Sequence, residues 1–185
     1  MLCSALFAET KDCEWIRDHL DTIPDFPKEG INFQSICPLL RNPQAFKRVT
    51  KEFANRYTDR KLDAIVGLES RGFVFGTALA YELDLPFVMI RKKGRLPSKV
   101  VSVDYALEYG SATFELEIDS FAAGSRVLII DDLMATGGTA QAACDLVEMI
   151  GSVVDEVAVV VELHGLNGRT KVKPPVYSLI SFDVY

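Results

Sequence analysis

Two adjacent carboxylates followed by a small, glycine-rich turn make up the stretch of this chain best equipped for chemistry: Asp131-Asp132-Leu-Met-Ala135-Thr136-Gly137-Gly138-Thr139. The apolar run Val127-Leu-Ile-Ile130 before it reads as a buried strand, and Ala143, Leu146, Val147 and Ile150 after it recur at helical spacing. Acids at the carboxyl end of a strand can accept hydrogen bonds from sugar hydroxyls. A turn that opens a helix directs backbone N–H groups, and the positive end of the helix dipole, at a phosphate. Gly137 and Gly138 let the backbone approach that anion without a Cβ in the way; Ala135 keeps the loop small, and Thr136 and Thr139 add hydroxyl donors. The chemistry indicated is capture of a phosphorylated ribose. The plainer alternative is a tight strand–helix turn with water-facing acids. The combination of buried strand, paired acids and Thr-Gly-Gly-Thr argues against it. Neither the Gly-Lys-Ser/Thr of a nucleoside-triphosphate loop nor the GxGxxG of a dinucleotide loop is present.

A second candidate follows the apolar run Leu62–Leu68. In Glu69-Ser70-Arg71-Gly72, Arg71 offers a planar fork of donors for phosphate oxygens. Taken by itself, it could equally cap a surface turn. Arg91-Lys92-Lys93-Gly94-Arg95 is a local basic run, and such runs are more often solvated turns.

Positioning these residues requires an alternating frame. Leu62–Leu68, Phe87–Ile90, Val127–Ile130 and Val157–Val161 are short, β-branched runs of strand type, separated by helical patterns at Gly72–Leu83 and after Thr139. Continuous apolar strands alternating with helices predict an α/β fold: a parallel sheet core flanked by helices, with ligands at the carboxyl ends of its strands. A helix is expected from about Pro43 to Tyr57, where Phe46, Val49, Phe53 and Tyr57 recur at spacings of three and four. Another is expected over Thr10–Asp21, before a turn-rich loop at Pro24–Gly30. Val100–Ile118 breaks the rhythm with partial polar–apolar alternation, placing Phe114, Leu116 and Ile118 on one side of an antiparallel excursion. Such an insertion can carry a mobile loop.

Composition bounds the remaining classes. The 185 residues suit a single domain. A net charge of −6 argues against a nucleic-acid partner held by the overall field. No apolar run approaches the roughly 20 residues of a membrane span, and the N-terminus lacks the basic flank of a secretory signal. The four cysteines, Cys3, Cys13, Cys37 and Cys144, have no metal-ligand spacing with His19 or His164. They are expected to be buried, reduced thiols of a cytoplasmic protein.

The stretch Val127–Thr139 closely resembles the phosphoribosyl pyrophosphate signature of type I phosphoribosyltransferases. Nearly the whole chain resembles the adenine branch of that family, through Pro24-Asp-Phe-Pro, Gly67-Leu-Glu-Ser-Arg-Gly-Phe73, Ile90-Arg-Lys-Lys-Gly-Arg-Leu-Pro97, Tyr105-Ala-Leu-Glu-Tyr-Gly110 and Val161-Glu-Leu163. The resemblance implies a type I phosphoribosyltransferase fold over residues 1–185, with about 1–40 forming a small hood over the base and a flexible antiparallel loop beside it. It implies transfer of phosphoribose from phosphoribosyl pyrophosphate to adenine, giving AMP and pyrophosphate, by a cytoplasmic homodimer.

By the same resemblance Asp131, Asp132, Ala135, Thr136, Gly137, Gly138 and Thr139 bind the ribose phosphate. Glu69, Ser70, Arg71, Arg91 and Lys92 hold pyrophosphate, with a cis peptide at Glu69–Ser70. Glu108 would share or supply the proton adenine exchanges, beside Arg71 and Tyr109 at the reacting centre, with Tyr109 shielding the sugar from water. Asn32, Phe33, Gln34 and Leu163 would surround the base, although Gln34 stands where the family usually has arginine. Magnesium is implied by the substrate and would be held mainly by phosphate oxygens and water, not by a protein cage. The alternatives are a transferase for another purine and a non-catalytic regulator that binds phosphoribosyl pyrophosphate.

Overall fold

The computed structural model describes residues 11–106 and 111–183. Strands β1 (Asp21–Ile23) and β2 (Phe33–Ser35) pair antiparallel as a small separate ribbon. Helices α1 (Cys37–Arg41) and α2 (Pro43–Tyr57) lead into the alternating region: β3 (Ala64–Leu68), α3 (Gly72–Leu83) and β4 (Phe87–Lys92). The antiparallel pair β5 (Val100–Ala106) and β6 (Ser111–Glu117) follows, then β7 (Arg126–Met134), α4 (Gly138–Met149), β8 (Val153–Leu163) and β9 (Val176–Phe182). Seven strands form the main sheet in the order β5-β6-β4-β3-β7-β8-β9. From β4 to β9 all pairings are parallel, while β6 joins β4 antiparallel.

The three central strands are apolar without alternation because both faces of the sheet are covered. Ile65, Val66, Leu128, Ile129, Ile130, Val160 and Val161 are fully buried. On one face Val49, Phe53 and Tyr57 of α2 and Phe75 and Leu79 of α3 pack on Ile65, Leu128, Ile130 and Val160. On the other, Ala143, Cys144, Leu146 and Val147 of α4 meet Val66, Ile129 and Val159, together with Phe114 and Leu116 of β6. Every functional loop at the carboxyl ends of β3 and β7 is therefore anchored by a buried strand before it and a packed helix after it.

The expectations for α2, α3 and the antiparallel excursion match the structure, and five local details differ. Lys11–His19 is a 3-10 helix in place of the expected helix to Asp21. Its buried side chains Cys13 and Ile16 stand three apart, matching the tighter turn, and Asp21 already pairs with Ser35. Strand β7 continues past the two acids to Met134, because Asp131, Leu133 and Met134 keep pairing with β8. Ile118 falls beyond β6 and is 38% exposed, unlike Phe114 and Leu116. Cys37 is exposed at the start of α1, against the expectation of burial, while Cys13 and Cys144 are buried and Cys3 lies outside the described residues. Strand β9 was not anticipated from the chain: Ser178 and Ser181 interrupt its apolar run. Among the described residues, no helix is long and apolar enough to cross a membrane.

Candidate active site

Helix α3 begins directly after β3, and α4 directly after β7. Neither has a side chain capping its first turn, and neither carries an acid there. Helix α2 makes the contrast, since Asn42 accepts hydrogen bonds from the Gln44 and Ala45 N–H groups, both at 3.1 Å. At α4 the first N–H groups and the positive end of the helix dipole are left for an anion. At α3 the Phe73 and Val74 N–H groups turn back to the Ser70 and Arg71 carbonyls at 3.3 and 3.2 Å, which leaves the dipole and the loop before them.

Both helix starts open into one cavity of about 330 Å³. Glu69, Ser70 and Arg71 line it from the first loop, and Ala135, Thr136, Gly137 and Thr139 from the second. Asp131 and Asp132 stand between them, and Lys92 and Tyr105 contribute from β4 and β5. Gly72 explains how closely the two loops approach: a Cβ there would lie 2.7 Å from the Ile130 carbonyl and 3.0 Å from an Asp131 carboxylate oxygen. Gly137 caps α4 at φ +79°, a conformation that favours glycine. Gly138 is the first residue of α4.

The charges are arranged around the two acids. Arg71 donates from Nε to Asp132 Oδ2 at 2.5 Å, and its guanidinium carbon lies 5.9 Å from the centre of the Phe33 ring. Asp132 is buried, and its backbone N–H donates to Asp131 Oδ1 at 2.9 Å. Burial, and then the negative charge of Asp132, push the Asp131 carboxyl well above the usual carboxylate range, although the side chain keeps some solvent contact. Burial also works against ionising Glu69. There the Lys92 N–H (2.9 Å to Oε2), Arg91 and Arg95 outweigh it and hold the carboxyl below its ordinary value. Burial raises the Tyr105 phenol, helped by the charges of Asp131 and Glu69. The Glu69–Ser70 peptide is cis, as expected.

Other expected residues stand farther out. Arg91 bonds Glu69 at 3.3 Å and the Arg95 carbonyl at 3.2 Å, bracing the first loop. Phe33 reaches the cavity through Arg71 and stacks edge-on against Phe26. Gln34 is buried, and its Oε1 accepts from Thr22 Oγ1 at 3.1 Å across the β1–β2 ribbon. Its side chain is thus engaged away from Arg71, as the alternation of a strand requires for a neighbour of Phe33. Asn32 is exposed, and Leu163 ends β8, packed against the α2–α3 side of the core. Glu108 and Tyr109 lie outside the described residues. Tyr105 was missed as a site residue. The alternation of Val101, Val103 and Tyr105 along β5 is the signal that could have found it.

Residues 37–183 match the model of the phosphoribosyl transferase domain. The chain is 51% identical over 168 residues to an adenine phosphoribosyltransferase of Roseiflexus sp. (strain RS-1), covering 90% of this chain and 98% of the relative. The fold is similar to that of the crystal structure of adenine phosphoribosyltransferase from Thermoanaerobacter pseudethanolicus. There the TM-score is 0.88 at 44% identity, over 92% of this chain and 99% of the other. It is also similar to the Saccharomyces cerevisiae enzyme complexed with an imino-altritol bisphosphate and adenine, with a TM-score of 0.87 at 42% identity over 91% and 98%. With this likeness and the geometry of the cavity, the chain belongs to the phosphoribosyltransferase family, among the adenine phosphoribosyltransferases, enzymes that join phosphoribose to adenine to give AMP and pyrophosphate.

Proposed function

We propose that the cavity between β3 and β7 holds phosphoribosyl pyrophosphate with its 5′-phosphate on Ala135–Thr139, its ribose hydroxyls on Asp131 and Asp132, and its pyrophosphate on Glu69–Arg71. One observation carries this reading: two uncapped helix N-termini face a single cavity with the paired acids between them. During transfer the bond from the anomeric carbon to pyrophosphate breaks and a bond to adenine N9 forms, through a transition state of oxocarbenium character. Arg71, released from Asp132 when ribose hydroxyls take over that acid, turns its fork of donors to the leaving pyrophosphate. Lys92 adds positive charge from β4, with Arg91 behind it on Glu69. Glu108 handles the proton that adenine exchanges as N9 becomes the nucleophile, and Tyr109 keeps water from the sugar cation.

The β1–β2 ribbon serves as the hood over the base, with Phe33 stacking on the purine and Asn32 and Leu163 flanking it. Gln34 contributes through its backbone, since its side chain is engaged with Thr22. Magnesium fits this donor set. It would be carried mainly on the substrate's phosphate oxygens and by water, with Asp131 and Asp132 beside them, and a cation held in that way needs no protein cage. When bound, it neutralises charge on the leaving group.

Tyr81 is 88% exposed beside a groove lined by Phe46, Thr50, Val74 and Ala78, which supports a homodimer. Burial, with the charges of Asp145 and Glu148, pushes the Cys144 thiol up to about 12. The thiol this leaves is protonated and inert.

Pyrophosphate release, measured with phosphoribosyl pyrophosphate, magnesium and each purine in turn, tests the reading. Adenine is expected to exceed hypoxanthine in kcat/KM by about 1–3 kcal/mol or more, because a site accepting from the 6-amino group leaves that acceptor unpaired against a carbonyl. Comparable values for the two bases contradict it.

A further inference from the structure

We propose that Arg169, clasped by Glu162, is a positioning residue for the phosphate-binding loop, acting through the backbone of Gly168. The inference rests on Ala135–Thr139 being the ribose-phosphate site. Glu162 is the second-last residue of β8, buried, and directly beside Met134, the residue from which that loop departs. Arg169 lies on the 3-10 turn Gly168–Lys171 and spreads its whole guanidinium over two strands. Its Nε donates to both carboxylate oxygens of Glu162 at 2.7 and 2.9 Å, and its Nη2 to Glu162 Oε2 at 2.6 Å. The remaining donors meet the Val176 carbonyl at 2.5 Å and Ser178 Oγ at 3.0 Å, and Ser178 itself donates to Glu162 at 2.9 Å. A planar fork satisfied on this many sides is fixed in direction as well as place.

What the fork fixes is its neighbour. A Cβ on Gly168 would stand 3.0 Å from the Gly137 nitrogen, 3.1 Å from Met134 Cγ and closer still to the Ala135 carbonyl. A Cβ on Gly137 would stand 2.9 Å from the Gly168 carbonyl carbon and 3.1 Å from its Cα. The two glycine backbones therefore touch, and Gly137 is the cap of α4. Glu162, Arg169, Gly168 and Gly137 form a continuous contact from the end of β8 to the N–H groups offered to the phosphate. Arg169 touches no substrate in this arrangement; it sets where those N–H groups point.

Titration calorimetry of AMP and of adenine, with thermal melting alongside, tests this on Arg169→Met, Arg169→Lys, Gly168→Ala and Thr136→Ala. Arg169→Met and Gly168→Ala are expected to weaken AMP binding about tenfold and leave adenine within about twofold, since a misplacement near 1 Å can cost up to ~10²-fold. Arg169→Lys, which keeps the charge and loses the fork, should fall between Met and the parent. Gly168→Ala tests the contact between the two glycines directly, and Arg169→Lys covers the case in which Arg169→Met does not fold. A merely structural clasp would lower the melting temperature and leave AMP affinity unchanged; that result in folded Arg169→Met, or in Arg169→Lys where Met does not fold, with Thr136→Ala weakened, overturns the inference and spares the site assignment. Unchanged AMP binding in all of them, Thr136→Ala included, overturns both.

Discussion

Two pairs of neighbouring acids at opposite ends of the central sheet, Asp155-Glu156 and Asp131-Asp132, are treated in opposite ways. At the amino end, Glu156 accepts from Arg56 through two bonds of 2.8 Å and from the Tyr57 hydroxyl at 2.6 Å, with Arg60 a further 3.6 Å away. Asp155 pairs with Arg60 at 2.8 Å and with Arg126, and Asp63 accepts the Arg126 N–H at 2.7 Å. Burial opposes the charge on Glu156, but Arg56 and Tyr57 overcome it and hold the carboxyl below its usual value. At the carboxyl end, Asp131 and Asp132 sit next to each other with Arg71 bonded only to the second, and Asp131 is pushed the other way. Acids matched by arginines hold elements together. Acids crowded against each other are held for something the protein must bind, which is where perturbed carboxylates tend to lie.

The largest expected effect comes from breaking the carboxyl end alone. Gly137→Val must abandon φ +79° and clashes with the Gly168 backbone, so binding of phosphoribosyl pyrophosphate should weaken at least ~10²-fold. Thr136→Ala, which removes one hydroxyl donor, should cost less, about tenfold. Titration calorimetry on the folded variants measures both. Parent-like affinity in a folded Gly137→Val protein would take the loop out of the site.

Breaking the amino end should change stability and spare binding. Glu156→Gln is expected to lower unfolding free energy by about 2 kcal/mol, less than a fully buried pair would lose because Arg56 and Arg60 keep water contact. The pH dependence sharpens this. The carboxyl of Glu156 is depressed in the folded state, so its stabilisation is present above the ordinary glutamate value, about 4.3, and is lost as pH falls through its lower folded value. The gap between parent and variant should therefore close on acidification, as denaturant titrations across pH would show.

The difference between the ends also explains what could be read in the chain. Helix α2, helix α3 and the carboxyl-end loops were legible because periodicity, proline and glycine placement and the Thr-Gly-Gly-Thr run are local signals. The amino-end cluster was not, since Arg56 and Glu156 are a hundred positions apart and only strand pairing unites them. Gly168 was invisible for the same reason: its role depends on touching Gly137. Strand β9 was missed because serines broke its apolar run, and the reach of β7 to Met134 because pairing with β8, not side-chain type, extends it. Gln34 could be noted as unusual from the chain, but its engagement by Thr22 required the β1–β2 register.

The smallest stability effect is the most telling. Asp131 has its folded value raised, so ionisation disfavours the folded state once pH rises above the ordinary aspartate value, about 3.9. Asp131→Asn removes that cost and a contact to the ribose together. Thermal melting of Asp131→Asn near neutral pH, with and without phosphoribosyl pyrophosphate and magnesium, therefore tests the central claim, with Glu156→Gln beside it. The account predicts that Asp131→Asn melts at or above the parent without ligand and gains much less from ligand, because weaker binding gives a smaller mass-action shift. Glu156→Gln should melt lower and gain as much as the parent. An Asp131→Asn protein that melts lower and keeps the full ligand shift would contradict the claim that this acid is held for the substrate.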